Sequence, residues 1–257
     1  MQKFNQYQGM IAEYYDLFYE KLNRKKEIEF YKSLILQFPG KTLEPFCGTG
    51  RFMLPLLRQG IDMEGLDSSA EMLKIFKNKG KEYKLFPNLY HEKIENFNIN
   101  QKYSNIVIPF SSFMLLNSRE EVESVLLNFC DHLVTGGQLL LEITAWSNLI
   151  RTYNQENQWI EDYKIHLPSD RVIIHSTSAR NNYLEGLRNF TLKFEEFQST
   201  KLIRTEIQEL RLRLYTKYEM KLLLEKTGFF VKKVYGGFHT QEVVEQDYIM
   251  IFHAIKS

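Results

Sequence analysis

Two cysteines, Cys47 and Cys130, are the only thiols in 257 residues. That is too few for a disulfide framework or a cysteine-built zinc site, so each reads as a reduced thiol used as a small hydrophobe. Net charge is also missing: 33 basic residues face 32 acidic ones, leaving a formal charge of +1. Without a basic excess there is no electrostatic footing for nucleic acid or for an anionic membrane surface. No apolar run approaches the ~20 residues that a membrane span requires, and the first six residues have no hydrophobic leader core. The expectation is a cytoplasmic protein with neither a nucleic-acid nor a membrane partner. Acidic residues do not fall at a spacing that suggests magnesium, and no metal site is expected.

The chain is rich in apolar side chains, 44% hydrophobic and 14% aromatic. A chain of this length and composition can bury a sizeable core and suits one α/β domain with an elaboration. Its organising stretch is Lys41-Thr42-Leu43-Glu44-Pro45-Phe46-Cys47-Gly48-Thr49-Gly50-Arg51. There an apolar strand passes into a helical pattern through a tight turn. Gly48 and Gly50 let the backbone approach a ligand without a Cβ in the way, and the free N–H groups of the following helix face any anionic group there. The third glycine of the dinucleotide fingerprint is absent, since Gly50 is followed by Arg51, Phe52 and Met53. A pyrophosphate reader is the weaker reading.

Glu44 lies four places before Gly48, and Asp67 ends the next apolar run, Ile61 to Leu66. With the glycines they form a pattern that resembles the S-adenosylmethionine site of class I methyltransferases of small-molecule type. The resemblance implies a doubly wound, mostly parallel seven-stranded α/β sheet with an antiparallel last strand pair. It also implies S-adenosylmethionine as cofactor and S-adenosylhomocysteine as product. Asp67 would accept the ribose hydroxyls, Glu44 would serve the methionine amine, and the turn around Thr49 and Arg51 would face the carboxylate. Ser68 opens a Ser-x-x-Glu capping box with Glu71, starting a helix that runs to about Asn78 before Gly80, and Met72 on it lies close enough to touch adenosine.

Residues 10 to 38 read as helical. Within them, Ala12-Glu13-Tyr14-Tyr15-Asp16 resembles the segment that such enzymes fold over the cofactor. Tyr14 and Tyr15 either cap the methionine end or simply pack in the core. A third strand is suggested at Asn88 to Glu92. The family usually follows it with an acidic residue and then an apolar one for adenine, where this chain has Lys93-Ile94. Lysine accepts no hydrogen bond, which leaves Glu92 and Ile94 as the adenine contacts. After the fourth strand, Pro109 and Phe110 stand where the family flanks the sulfonium. Ser118 with Glu121 and Thr216 with Glu219 form two more capping boxes, and Val134 to Gln138 reads as a tight turn into the fifth strand.

From Trp159 to Leu214 several runs alternate apolar and charged residues, the pattern of half-exposed antiparallel strands. The expected division is a methyltransferase core over residues 1–144 and 215–257, with a β-rich lid over 145–214 inserted at the carboxyl edge of the main sheet. Trp146 and Tyr235 read as pocket walls. His175 and His239 read either as bases for a hydroxyl acceptor or as structural and solvated side chains. The functional expectation is methyl transfer to a nitrogen or oxygen of a small metabolite by a monomer or homodimer, with no single obligatory catalytic residue. The competing readings are an RNA or protein methyltransferase of the same fold, a nucleoside-binding protein without catalysis and a nicotinamide-linked oxidoreductase.

Overall fold

The computed structural model describes residues 7–19, 25–145 and 156–257. The main sheet holds β1 (Thr42–Pro45), β2 (Met63–Asp67), β3 (Leu89–His91), β4 (Tyr103–Ile108), β5 (Leu133–Thr144), β10 (Phe229–Tyr235) and β11 (Ile249–Lys256). Its order is β10-β11-β5-β4-β1-β2-β3. β1 runs parallel to both β2 and β4, whereas β11 is antiparallel to β5 and β10. The sequence order turns back between β1 and β4, which opens a crevice at their carboxyl ends. All four residues of β1 are buried, as expected for a strand covered on both faces.

Helices supply that cover. On one face α2 (Lys25–Ile35) and α3 (Met53–Leu57) pack Tyr31, Leu34, Phe52 and Met53 against Val107, Leu140 and Ile251. On the other, α5 (Arg119–His132) and α6 (Lys217–Lys226) pack Val125, Phe129, Met220 and Leu224 against Leu43, Ile106 and Leu141. α5 opens as expected: Ser118 Oγ accepts from Glu121 N while the Glu121 carboxylate accepts from Ser118 N, closing both arms of the box. Ser118→Ala should lower the unfolding free energy by about 1 kcal/mol in a denaturant titration, with an unchanged slope.

Two helix boundaries differ from expectation. α4 (Ala70–Glu82) is capped by Ser69 rather than Ser68, its Oγ accepting from Met72 N at 3.2 Å. The cap slips by one residue because Asp67 takes the Ser69 N–H and Ser69 donates its hydroxyl to Tyr7 O. Glu71 is thereby released to accept from Gly9 N at 2.7 Å. The helix also runs through Gly80 instead of ending before it. That glycine is required by crowding, since a Cβ would stand 2.7 Å from Leu85 O. Val134 to Gln138, expected as a turn, lies within the long strand β5, where the register with β4 shifts.

A second sheet, antiparallel in the order β6-β7-β8-β9, is built from Ile160–Leu167, Arg171–Asn182, Leu187–Gln198 and Lys201–Arg213. Its inner face carries Ile173, Leu192 and Phe194, which cluster with Met10, Tyr14 and Phe18 of α1 (Met10–Tyr19). Phe18 is almost wholly buried there, worth roughly 1.5–3 kcal/mol of transfer free energy. α1 therefore packs as part of the second sheet's core. No helix among the described residues is long and apolar enough to cross a membrane.

Candidate active site

The turn after β1 is held by local hydrogen bonds, Cys47 N to Leu66 O and Gly50 N to Cys47 O, both 2.9 Å. Gly48 and Gly50 both take left-handed backbone, with φ of +52° and +75°. At Gly50 there is also no room, because a Cβ would meet the Phe76 ring at 2.5 Å. At Gly48 an added Cβ meets nothing nearer than Asp67 Oδ2 at 4.0 Å, so its hydrogens border open space.

Asp67 is pinned from both sides: Oδ2 accepts from Gly48 N and Oδ1 from Ser69 N, each at 2.8 Å. Burial nevertheless holds its pKa above the ordinary carboxylate value, against the pull of those N–H groups. Each oxygen keeps lone pairs for a further donor. Glu44 is only 3% exposed, and its Oε2 has no partner among the described residues. Burial pushes its pKa well up, and the nearby charges of Asp67 and Glu27 add to the shift. A buried carboxylate in this state is poised for a cation.

Two cavities border this turn. A cleft of about 480 Å³ is lined by Gly48, Asp67, Ser68, Met72 and Ile94, among others. A narrow void of about 30 Å³ is lined by Glu44, Thr49, Arg51, Pro109 and Phe110. Tyr15 borders both. The Arg51 guanidinium lies over the Phe110 ring, 2.9 Å from its centroid, and its buried Nη1 has no hydrogen-bond partner among the described residues. Phe110 and Ser111 both adopt left-handed backbone, a costly conformation for non-glycine residues, at the carboxyl end of β4.

Other expected site residues stand elsewhere. Glu92 is exposed and accepts the Lys93 N–H at 3.0 Å, outside the cleft wall. Tyr14 points at the second sheet, donating to Glu196 Oε2 at 3.1 Å and accepting from Arg171 Nη2 at 3.0 Å. His175 is enclosed by Phe18, Tyr163 and Phe194, and burial lowers its pKa to about 4. Tyr235 packs edge-on against Phe30 and stacks on His253, whereas His239 is exposed, 4.0 Å from Asp247. None of these three lines the cleft or the void. Trp146 lies outside the described residues.

Several contributors have no role of their own in the sequence reading, Asp16 appearing there only as the end of the segment 12–16. Asp16 accepts from Thr49 Oγ1 and from Lys79 Nζ, both at 2.6 Å, which ties α1 to the glycine turn and to α4. Glu95, Asn117 and Glu121 form part of the cleft wall, with Leu115 and Leu116. Only the Ser118–Glu121 cap pointed toward that wall, and it read as a helix start.

The comparisons with known proteins bear on this same region. Residues 43–137 match the family described as "Methyltransferase domain". The matched stretch takes in most of β1, the glycine turn, Asp67 and the cleft wall from Phe46 to Glu121. The chain is 28% identical over 141 residues to a dTDP-3-amino-3,6-dideoxy-alpha-D-glucopyranose N,N-dimethyltransferase of Streptomyces fradiae. The alignment covers 53% of this chain and spans about half the length of that relative, 54%. Among solved structures, an S-adenosylmethionine-dependent methyltransferase from Clostridium acetobutylicum ATCC 824 superposes with a TM-score of 0.79 at 17% identity, covering 95% of this chain and 96% of that one. S-adenosylmethionine-bound CalS10, an amino pentose methyltransferase from Micromonospora echinaspora, gives 0.72 at 15%, covering 99% and 100%. The main sheet and the added antiparallel sheet thus share one fold with these proteins.

Proposed function

We propose that the protein is an S-adenosylmethionine-dependent methyltransferase whose acceptor is an amine on a small molecule of the amino-sugar kind. One observation carries the reading: Glu44, Gly48, Gly50 and Asp67 converge at the carboxyl edge of β1 and β2 with unspent polar atoms of the kinds that S-adenosylmethionine calls for. Asp67, fixed by two N–H groups, suits a ribose diol, and the partnerless Glu44 oxygen suits an ammonium. The Streptomyces fradiae relative is named for an amino-sugar substrate, and the acceptor class is taken from it. A polyanionic acceptor such as RNA fits poorly, since the cleft wall carries Asp67, Glu95 and Glu121 against one cation, Lys93.

The bound cofactor supplies a methyl group on a sulfonium, a leaving group that needs no further activation. What remains for the chain is alignment and the exclusion of water. Asp67 and Glu44 would hold the ribose and the methionine amine of the cofactor, with Pro109 and Phe110 beside the sulfonium. Tyr15 and α1 close over the turn, and the insert at 145–214 forms the acceptor's wall. An amine that arrives neutral attacks without a general base. Both cysteines are free thiols, in keeping with work in the cytoplasm.

Titration calorimetry tests the reading. S-adenosylhomocysteine should bind and NAD should not; binding of the dinucleotide alone would overturn it. Affinity should also depend on pH with a definite sign. The ammonium needs Glu44 ionised, and burial raises the pKa of Glu44 in the free protein. Binding then expels a proton, so affinity should fall as pH drops through that raised pKa. Measured heats should vary with the ionisation enthalpy of the buffer, and Glu44→Gln should abolish that variation.

A further inference from the structure

Resting on the S-adenosylmethionine reading, we infer that the 6-amino group of adenine is read by the Asn117 side-chain carbonyl and the Glu95 carboxyl group, on the α5 side of the cleft, and not at the end of β3. Among the described residues, the β3 end brings no acceptor side chain to the cleft. Lys93 carries three donors and no acceptor, and Glu92 is turned back onto the Lys93 N–H outside the cleft. The opposite wall has what the β3 end lacks. Buried Ile94 together with Leu115 and Leu116 makes an apolar slot suited to a flat ring.

At the edge of that slot, Asn117 Nδ2 donates to Leu115 O at 2.6 Å, which fixes the amide so that Oδ1 is the free acceptor. Oδ1 is buried without a partner among the described residues. Glu121 is committed to the helix cap, its Oε2 accepting from Asn117 N at 2.9 Å and Ser118 N at 3.3 Å. Burial raises the pKa of Glu95, and the neighbouring acid Glu121 adds to the shift. An exocyclic amine brings two N–H donors to an edge that offers the unpartnered Asn117 Oδ1 and the Glu95 carboxyl group. An oxo group in its place would set acceptor against acceptor.

Calorimetry at pH 8 with S-adenosylhomocysteine and S-inosylhomocysteine, which differ at that position, is the test. The unaltered protein should prefer the adenine compound about ten- to a hundredfold. In the Glu95→Ala, Asn117→Ala double variant the preference should shrink to about threefold or less, the loss falling on the adenine compound. Lys93→Ala should keep the full preference. Glu95 is exposed, so Glu95→Ala alone carries the test if the double variant fails to fold, and it should cost at least about threefold in the ratio. An unaltered ratio in the folded double variant, or one abolished by Lys93→Ala alone, overturns the inference. If the unaltered protein binds both compounds equally, only this inference falls; if it binds neither, the cofactor reading falls with it.

Discussion

Asp67→Ala should weaken S-adenosylhomocysteine binding by roughly two to four orders of magnitude, measured by calorimetry on protein whose far-ultraviolet spectrum is unchanged. Two charge-assisted hydrogen bonds from a ribose diol are worth about 1.5–3 kcal/mol each. The substitution also strands the Gly48 and Ser69 N–H groups that the carboxylate now occupies. Asp67→Asn separates the two effects, because a side-chain carbonyl still holds one of those N–H groups while the charge is gone. It should fall between the parent and the alanine variant. Undiminished affinity in folded Asp67→Ala would end the cofactor assignment.

Gly50→Ala should destabilise the protein by about 2–5 kcal/mol. Placing an L-residue at a φ of +75° costs roughly 1–2 kcal/mol, and forcing a methyl group to within 2.5 Å of the Phe76 ring adds roughly 1–3. For a chain of this size the melting temperature should drop by about 5–15 °C. Gly136→Ala is the matched control. Its φ of +72° is nearly the same, but nothing lies within 4 Å of the added Cβ. It should show the conformational cost alone, and a loss as large as that at Gly50 would refute the packing argument.

How much of this was legible in the sequence depends on how local each feature is. Glu44, Gly48, Gly50 and Asp67 fall within one strand-turn-helix-strand unit whose two strands pair directly, so spacing along the chain was enough to bring them together. The same locality made the Ser118–Glu121 cap readable. Ser68 was off by one because the deciding partners included Tyr7, sixty-two residues away from Ser69. For His175 the alternating pattern gave a strand but not the face that α1 would cover, so the side chain came to rest in an aromatic cluster. Tyr235 sits on β10, the sheet edge farthest from β1 and β2, and strand order is not written in periodicity. Glu95, Asn117 and Glu121 meet only because α5 swings back against the short helical turn Ile94–Asn96 that follows β3, which no spacing rule conveys.

The placement of the first helix has a consequence for how ligands come and go. Toward the second sheet, α1 is glued by Met10, Tyr14 and Phe18 in an oily cluster. Toward the glycine turn and α4, its joins are the pairings of Asp16 with Thr49 and Lys79 and of Gly9 with Glu71, which sit partly in water. Such joins are individually feeble and yield to salt, whereas an apolar one does not. The molecule should therefore gape along the watery seam, with helix and sheet swinging away as one flap, and ionic strength should quicken the escape of spent product.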